Sequence, residues 1–100
     1  MDEETHERIR NAVARVPAGK VASYGDIAAL AGASNPRFVG RVLKEDGFDL
    51  PWHRIVRTDG TVAKPHQLPR LRDEGLEIPG NRIDMNRYRW DPGDYSPAKN

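Results

Sequence analysis

The sequence predicts one small, mostly α-helical domain with a short β-hairpin and a helix-turn-helix. The chain has 100 residues, which suits a single domain, and 37% of them are hydrophobic, which suits a folded chain. Apolar residues recur at helical spacing in three segments, and a glycine-containing turn joins the second segment to the third. Further along, Thr-Asp-Gly separates two β-prone runs. The domain is expected to span residues 1–90, and the polar residues 91–100 are expected to form a flexible tail.

The first helix is expected from about Glu3 to Ala14 or Val16. Starting at Ile9, apolar residues follow the i, i+3, i+4, i+7 spacing of one buried helix face. Residues 17–20, Pro-Ala-Gly-Lys, then end the helix.

The second helix is marked at both ends. Ser23 and Asp26 have the spacing of an N-cap with an acid three residues later, a variant of the capping box. The helix is therefore expected from Tyr24 to Ala31, with Gly32 as its stop.

The third helix is expected from Pro36 to about Lys44, with Ser34 or Asn35 as its N-cap. At about 100° per residue, one face of this helix is apolar and the other is cationic with a central glycine. The cationic face comprises Arg37, Gly40, Arg41 and Lys44.

Charge is unevenly distributed along the chain. Residues 2–7 contain four acids, whereas residues 8–44 carry a net charge of +6. Such a local positive field suits a polyanionic partner, and it is equally consistent with a solvated surface. A glycine in the middle of a helix costs roughly 0.5–1 kcal/mol relative to alanine, so its presence here needs a reason. Gly40 leaves the backbone bare among three cations, which favours the close approach of a phosphate-rich partner.

The second half of the chain carries weaker signals. Residues 55–57 and 61–63 are expected to pair as a hairpin around Thr-Asp-Gly. A short helix is expected from about Leu68 to Glu74, with Gly75 following it. Residues 82–86 are compatible with a strand, and residues 88–90 are expected to pack back onto the body.

Composition excludes several classes of protein. The chain has no cysteine, so it has no disulfide and no thiol nucleophile. Its three histidines lack metal-ligand spacing, and no glycine-rich phosphate loop occurs, so neither a metal nor a cofactor is expected. The longest apolar run, residues 27–31, is far shorter than the roughly 20 residues of a membrane span. A soluble, cytoplasmic protein with no membrane partner is expected.

Residues 51–54, Pro-Trp-His-Arg, form the most unusual local sequence. A tryptophan where a loop enters a strand is commonly a core residue. A tryptophan beside cationic side chains is also a stacking platform for a nucleobase. The residues alone leave both interpretations open.

This tetrapeptide resembles the Pro-Cys-His-Arg motif of the O6-alkylguanine-DNA alkyltransferases, whose cysteine accepts the alkyl group. Tryptophan in the cysteine position is typical of the alkyltransferase-like proteins. The similarity covers roughly residues 6–92 and implies a winged-helix-like domain, as in the C-terminal domain of the alkyltransferases. Four further segments carry the resemblance: residues 16–32 before and within the helix-turn-helix, 35–40 in the recognition helix, 73–75 at a helix end, and 88–92 near the C-terminus.

The resemblance implies a role for each matching residue. Arg37 matches the arginine that enters the DNA stack where a nucleotide has rotated out. Tyr24 matches the tyrosine that crowds the phosphate of that nucleotide. His53 and Glu74 match the pair that activates the enzymes' cysteine through water. Trp52 occupies the cysteine position and is expected to line the lesion pocket.

Two places depart from the family pattern. The loop before residue 51 is short, and Asp46 is the residue nearest to the enzymes' loop asparagine. Alkyltransferase-like proteins can also carry an arginine that contacts the damaged base, and here Lys64 supplies that contact or no residue does. The predicted lesion pocket comprises Tyr24, Trp52, His53, Arg54 and Lys64. The predicted DNA-binding residues are Ser34, Asn35, Arg37, Gly40, Arg41 and Lys44, with Glu74 behind the pocket.

Chemistry and resemblance together predict recognition without turnover. Alkyl transfer from guanine O6 in this family uses a thiolate, and an indole N–H is only a donor. The resemblance implies a monomeric, non-enzymatic sensor that binds duplex DNA through the minor groove and flips O6-alkylguanine against Trp52. It also implies that the lesion is flagged for nucleotide excision repair proteins. In a bacterium, such a protein is expected at the nucleoid.

Two alternatives remain at this stage. The first is a sequence-specific helix-turn-helix regulator, a class that usually dimerises to read paired half-sites. The second is a catalyst that uses His53 with Glu74 on the glycosidic or alkyl bond.

Overall fold

A computed structural model describes residues 1–93 of the chain. The predicted tail over 91–100 therefore falls mostly on residues 94–100, outside the described part. Within residues 1–93 the elements, in chain order, are helix α1 (Glu3–Ala14), strand β1 (Ala22–Ser23), helices α2 (Tyr24–Ala31) and α3 (Arg37–Asp46), a 3₁₀ turn (Trp52–Arg54), strand β2 (Ile55–Val56), helix α4 (Gln67–Asp73), a second 3₁₀ turn (Pro79–Asn81) and helix α5 (Met85–Tyr88). The prediction of a mostly helical domain is confirmed.

Helices α1, α2 and α3 pack around one apolar core. The apolar face of α1 contributes Ile9 and Val13, which are fully buried. Ile27 of α2 and Val39 and Val42 of α3 meet them in the same cluster. The i, i+3, i+4 spacing seen in the sequence is therefore the spacing of the residues that hold these helices together.

Helix α2 begins and ends where the sequence predicts. Its capping box is formed, since the Asp26 amide donates to Ser23 Oγ at 3.0 Å and the Ser23 amide donates to the Asp26 carboxylate at 3.1 Å. Gly32 ends the helix with a φ of 70°, a left-handed conformation that glycine adopts without steric cost.

Helix α3 differs from its prediction at both ends. It begins at Arg37, one residue after the expected Pro36, and continues two residues beyond Lys44. Pro36 occupies the N-cap position and no side chain caps the helix, so the predicted cap at Ser34 or Asn35 is wrong. The Asn35 side-chain oxygen does accept a hydrogen bond from the Arg37 amide at 2.9 Å, just before the helix.

The predicted hairpin at residues 55–63 is wrong. The turn forms, with the Arg57 amide donating to the Thr61 carbonyl at 2.9 Å, but no strand returns along residues 61–63. Strand β2 instead pairs in parallel with β1, with Ala22 opposite Ile55. The reason is burial: Ile55 and Val56 are both fully buried, so this strand lies inside the protein and not in an exposed hairpin.

The last segment encloses a second apolar cluster. Residues 82–86, which the sequence left compatible with a strand, do not form one, because Met85 begins helix α5 and Asp84 caps it. The prediction that residues 88–90 pack back onto the body is correct. The Val21 amide donates to the Tyr88 carbonyl at 2.9 Å, and the Trp90 amide donates to the Val21 carbonyl at 2.7 Å. The cluster comprises Val21, Val56, Leu68, Leu71, Leu76, Ile78, Ile83 and Tyr88.

No helix in the described part of the chain is long and apolar enough to cross a membrane.

Candidate nucleic-acid interface

Helix α3 presents a cationic face to solvent. Arg37, Arg41 and Lys44 are all exposed, while the opposite face is held in the core. The ion pair of Arg41 with Glu45 is long, at 3.9 Å, and both side chains are more than half exposed. Within residues 1–93, Arg37 and Lys44 form no ion pair. We call Arg37, Arg41 and Lys44 the cationic face of α3. Their exposed charges can meet an external anion.

A cavity of about 650 Å³ opens beside this face. Its volume lies within the roughly 300–1,000 Å³ of small-ligand pockets. Of the predicted pocket residues, Tyr24, Trp52 and Lys64 line it, and so do Gly40 and Lys44 from α3. Within residues 1–93 no carboxylate belongs to its wall, and the charged side chains that line it are lysines. The remaining lining residues are Leu43, Gly47, Phe48, Ala63, His66 and Gln67.

Trp52 is half-buried at the wall of this cavity and is not sealed in the core. The His66 ring meets the indole at 5.2 Å with an interplanar angle of 71°. The Arg70 guanidinium lies 5.5 Å from the indole centroid, within cation–π range. The ring is therefore held in one orientation with part of its surface facing the cavity.

Tyr24 stands at the first turn of α2 and lines the same cavity as Trp52. Burial raises the pKa of Tyr24 above its ordinary value of 10.0, and the charge of Arg57 acts in the opposite direction. The phenol is therefore protonated at neutral pH and can donate a hydrogen bond to an anion. A Cβ on Gly40 would meet Tyr24 Cε2 at 3.8 Å, an ordinary contact, so Gly40 lies against this ring without being forced to be glycine.

Arg57, whose charge acts on the Tyr24 phenol, was not among the residues predicted from the sequence. The register of the two strands explains its position. Ser23 pairs with Val56, so the residues that follow each strand, Tyr24 and Arg57, leave the sheet side by side. The Arg57 guanidinium is fixed by a 2.9 Å hydrogen bond to the Val62 carbonyl. No sequence signal could have found this, because it depends on a parallel pairing between residues 33 positions apart.

His53, Arg54 and Glu74 form a compact group that we call the charged clamp. His53 Nε2 lies 2.8 Å from a Glu74 carboxylate oxygen, and Arg54 Nη2 donates to the same oxygen at 2.8 Å. Arg54 Nη1 also donates to the Val16 carbonyl at 2.9 Å, and the Gly19 amide donates to Glu74 at 3.2 Å. These bonds join the 3₁₀ turn, the end of α4 and the segment after α1.

The clamp strongly favours the ionised carboxylate of Glu74. Burial alone would raise the pKa of Glu74, but hydrogen bonds from Arg54, His53 and the Gly19 amide outweigh it. The pKa of Glu74 falls from 4.5 to about 2. The carboxylate therefore stays charged, and hydrogen bonded to Arg54, throughout the physiological range.

His53 and Arg54 were predicted to line the lesion pocket, and neither contributes to the cavity wall. Trp52 faces the cavity, whereas His53 and Arg54 both reach the Glu74 carboxylate. The ring centroids of Trp52 and His53 are 6.5 Å apart, edge to face. Glu74 is not part of the cavity wall and is hydrogen bonded to both His53 and Arg54.

Three lining residues, Phe48, His66 and Gln67, carried no signal of function in the sequence. Gln67 is buried, and its amide donates to the carbonyl of Ile55 at 2.8 Å and to that of His53 at 3.2 Å. Its side-chain oxygen accepts from the Lys64 amide at 2.9 Å. Gln67 therefore ties the segment bearing Lys64 to the 3₁₀ turn bearing Trp52.

The residues of the described chain contain no group of three histidines or carboxylates positioned to hold a metal ion. His6 and His53 each contact a single carboxylate, on Asp46 and Glu74 respectively. The side chains that line the cavity offer two ammonium groups, an indole, a phenol and an imidazole.

Comparison with known proteins identifies the family. Residues 4–80 match the model of the 6-O-methylguanine DNA methyltransferase DNA-binding domain. The chain is 42% identical over 93 residues to the DNA base-flipping protein of Escherichia coli, covering 84% of this chain and 72% of that protein. It is 32% identical to alkyltransferase-like protein 1 of Schizosaccharomyces pombe, covering 90% of this chain and 97% of that protein.

Solved structures agree with this assignment. The crystal structure of S. pombe Atl1 in complex with damaged DNA containing O6-carboxymethylguanine superposes with a TM-score of 0.82 at 32% identity, covering 92% of this chain and 99% of the other. A second S. pombe structure in complex with DNA gives a TM-score of 0.80. The chain belongs to the family of the 6-O-methylguanine DNA methyltransferase DNA-binding domain.

Proposed function

We propose that this protein is a non-enzymatic sensor of alkylated DNA, which binds duplex DNA and holds an extrahelical O6-alkylguanine in the cavity beside Trp52. The observation that carries the proposal is the cavity itself. It places an indole next to two lysines and a tyrosine, directly beside the cationic face of α3. A stacking surface next to a phosphate-binding surface is what recognition of a flipped base requires.

The side chains divide this task between them. The cationic face of α3 supplies attraction to phosphates, and Arg37 at its start is the residue we expect to fill the gap in the base stack. Tyr24 meets the backbone of the rotated nucleotide. Flipping costs a few kcal/mol and costs least for a badly paired base, so selection of damage begins before any contact in the cavity.

Absence of turnover follows from the side chain at position 52. The sequence contains no cysteine, and an indole N–H donates a hydrogen bond but does not accept an alkyl group at neutral pH. His53 is turned into the charged clamp and away from the cavity wall, so it does not replace the missing nucleophile. The related proteins named for base flipping support the same conclusion.

Several further features belong to this proposal. Docking is through the minor groove, and the protein acts as a monomer in the cytoplasm, at the nucleoid in a bacterium. A protein that holds a lesion without repairing it needs a successor, so nucleotide excision repair proteins are the expected downstream partners. Lys64 replaces the base-contacting arginine, because it lies at the cavity wall.

The experiment is a binding titration with matched duplexes that carry guanine or O6-methylguanine at one position. We expect tighter binding of the lesion duplex and no change in the mass of protein or DNA afterwards. The Trp90→Phe variant leaves Trp52 as the sole indole, so quenching of its fluorescence reports stacking directly. Equal affinity for the two duplexes, or dealkylated DNA in the mass spectrum, contradicts the proposal. A palindromic consensus from binding-site selection would instead favour a sequence-specific regulator.

Truncation at the cavity wall gives the first prediction. Trp52→Ala should lose about 1–3 kcal/mol of the preference for the lesion duplex, because that is the usual worth of one base–aromatic stack. Trp90→Ala removes the other indole, which lies away from the cavity against Arg15, and serves as the matched control. The ratio of the two dissociation constants, measured for each variant, checks the prediction.

A further inference from the structure

Phe48 is an apolar side chain in an unusual position. It is 98% exposed, whereas most large apolar side chains of the described residues are buried. Isolated exposed apolar residues are common and need no explanation. Phe48 differs because it borders the same cavity as Trp52, so its ring stands at the mouth of a site that already contains an aromatic wall.

The turn that carries Phe48 is braced from two sides. Arg10 of α1 donates to the Asp46 carbonyl and, at 2.8 Å, to the Asp49 carboxylate. Gly47 is buried and packs so closely on α3 that a Cβ there would meet the Leu43 carbonyl at 2.6 Å. The turn closes with the Leu50 amide donating to the Gly47 carbonyl at 2.9 Å. These contacts hold in place a turn whose central side chain contacts almost nothing.

We propose that Phe48 is a second aromatic wall of the lesion pocket, which contacts the apolar O6-substituent of the flipped base. This inference rests on the proposed function and adds a specificity-determining residue to it, since the Phe48 ring would contact the apolar part of the lesion. The lysines at the cavity cannot supply such a contact, since they recognise charge. An exposed phenyl ring at the mouth gains most when an apolar group from the ligand covers it.

The test compares Phe48→Ala with wild type on three duplexes that differ at one base: guanine, O6-methylguanine and O6-benzylguanine. We expect the variant to bind the guanine duplex as wild type does and to bind the methylated duplex at least about fivefold more weakly. The loss should be about threefold larger again for the benzylated duplex, since more apolar area is uncovered. Phe48→Tyr keeps the ring and should restore most of the affinity.

Leu30→Ala is the matched control, because Leu30 is exposed on α2 and lies outside the cavity wall. It should change none of the three affinities. Thermal unfolding of each variant checks the fold. Because the Phe48 side chain is almost fully exposed, its removal should leave the melting temperature unchanged.

A direct readout comes from fluorine labelling. The chain has two phenylalanines, so fluorophenylalanine gives two ¹⁹F resonances, which Phe48→Leu assigns. The Phe48 resonance should shift with the lesion duplex and not with the guanine duplex.

The outcomes separate this inference from the function on which it rests. If wild type prefers the lesion duplexes and Phe48→Ala does so equally well, Phe48 is no part of the pocket and only this inference fails. If Phe48→Ala weakens all three duplexes equally, the ring contacts ordinary DNA, and the inference fails again. If wild type does not distinguish the three duplexes, the proposed function fails, and the inference fails with it.

Discussion

The cationic face of α3 and the charged clamp are both built around arginine, yet their surroundings oppose each other. The face is exposed, and the one ion pair that it forms within residues 1–93 is long. In the clamp, the side chains of Arg54 and Glu74 are each only 17% exposed, and the carboxylate accepts hydrogen bonds from several donors. A charge that is satisfied inside the protein holds the fold together, whereas a charge left in water is available to a partner.

The charged clamp also shows that the same motif residues can have a catalytic role in one protein and a structural role in another. The family resemblance implies that the residues matching His53 and Glu74 serve the reactive cysteine of the alkyltransferases. Here the same pair holds the 3₁₀ turn against the end of α4, and Trp52, the first residue of that turn, faces the cavity. The pair is therefore explained by its structural bonds without a nucleophile to activate.

The largest expected effect comes from breaking the clamp. Glu74→Gln removes the anion and leaves the Arg54 charge mostly buried without a counter-ion, which should lower the free energy of unfolding by about 2–4 kcal/mol. The matched control is Glu77→Gln, because Glu77 pairs with Arg87 at 2.7 Å but both side chains are largely exposed. The control should cost less than about 1 kcal/mol. Urea unfolding of both variants decides between a structural clamp and a solvated ion pair.

The clamp also predicts how stability depends on pH. Because the pKa of Glu74 is lowered from 4.5 to about 2, the folded state binds this proton less tightly than the unfolded state. Its contribution is complete above about pH 4.5 and is lost as the pH falls towards 2, amounting to about 3 kcal/mol. Wild type should therefore lose more stability than Glu74→Gln over this range. Parallel acid titration curves for the two proteins would argue against the assignment.

Substitutions in the cationic face of α3 should weaken DNA binding and leave stability almost unchanged, the reverse of what is expected for the charged clamp. Arg41→Gln and Lys44→Gln are each expected to leave the free energy of unfolding within about 0.5 kcal/mol of wild type. Each should weaken binding to damaged and undamaged duplexes alike and reduce the slope of log Kd against log salt by about 1. Arg82→Gln changes an exposed cation outside the cavity wall and should leave the slope unchanged. A wild-type protein whose affinity is insensitive to salt would contradict this role for α3.

The smallest effect is expected at Gly40, where the sequence suggested close approach of a phosphate to bare backbone. Because a Cβ there fits against Tyr24 at 3.8 Å, Gly40→Ala should stabilise the fold by about 0.5–1 kcal/mol. A simultaneous loss of DNA affinity would support close approach, and unchanged affinity would limit Gly40 to a place in the cavity wall. Thermal unfolding and the duplex titration measure the two effects separately.

The amino-acid sequence determined the features that depend on near neighbours in the chain. The capping box of Ser23 and Asp26 and the stop at Gly32 set α2 to the residue, and apolar spacing set α1 and the two faces of α3. The Pro-Trp-His-Arg motif and the absence of cysteine pointed to the family and to recognition without turnover. These signals are local because caps and helix periodicity act over three or four residues.

The tertiary structure decided the pairing of β2 with β1, the turn of His53 and Arg54 away from the cavity, and the place of Phe48 at its mouth. Each of these depends on contacts between segments far apart in the chain, such as Arg54 with Glu74 or Arg10 with Asp49. Burial of Ile55 and Val56 outweighed the local preference for a hairpin, because removing two apolar side chains from water stabilises more than one exposed pair of strands does.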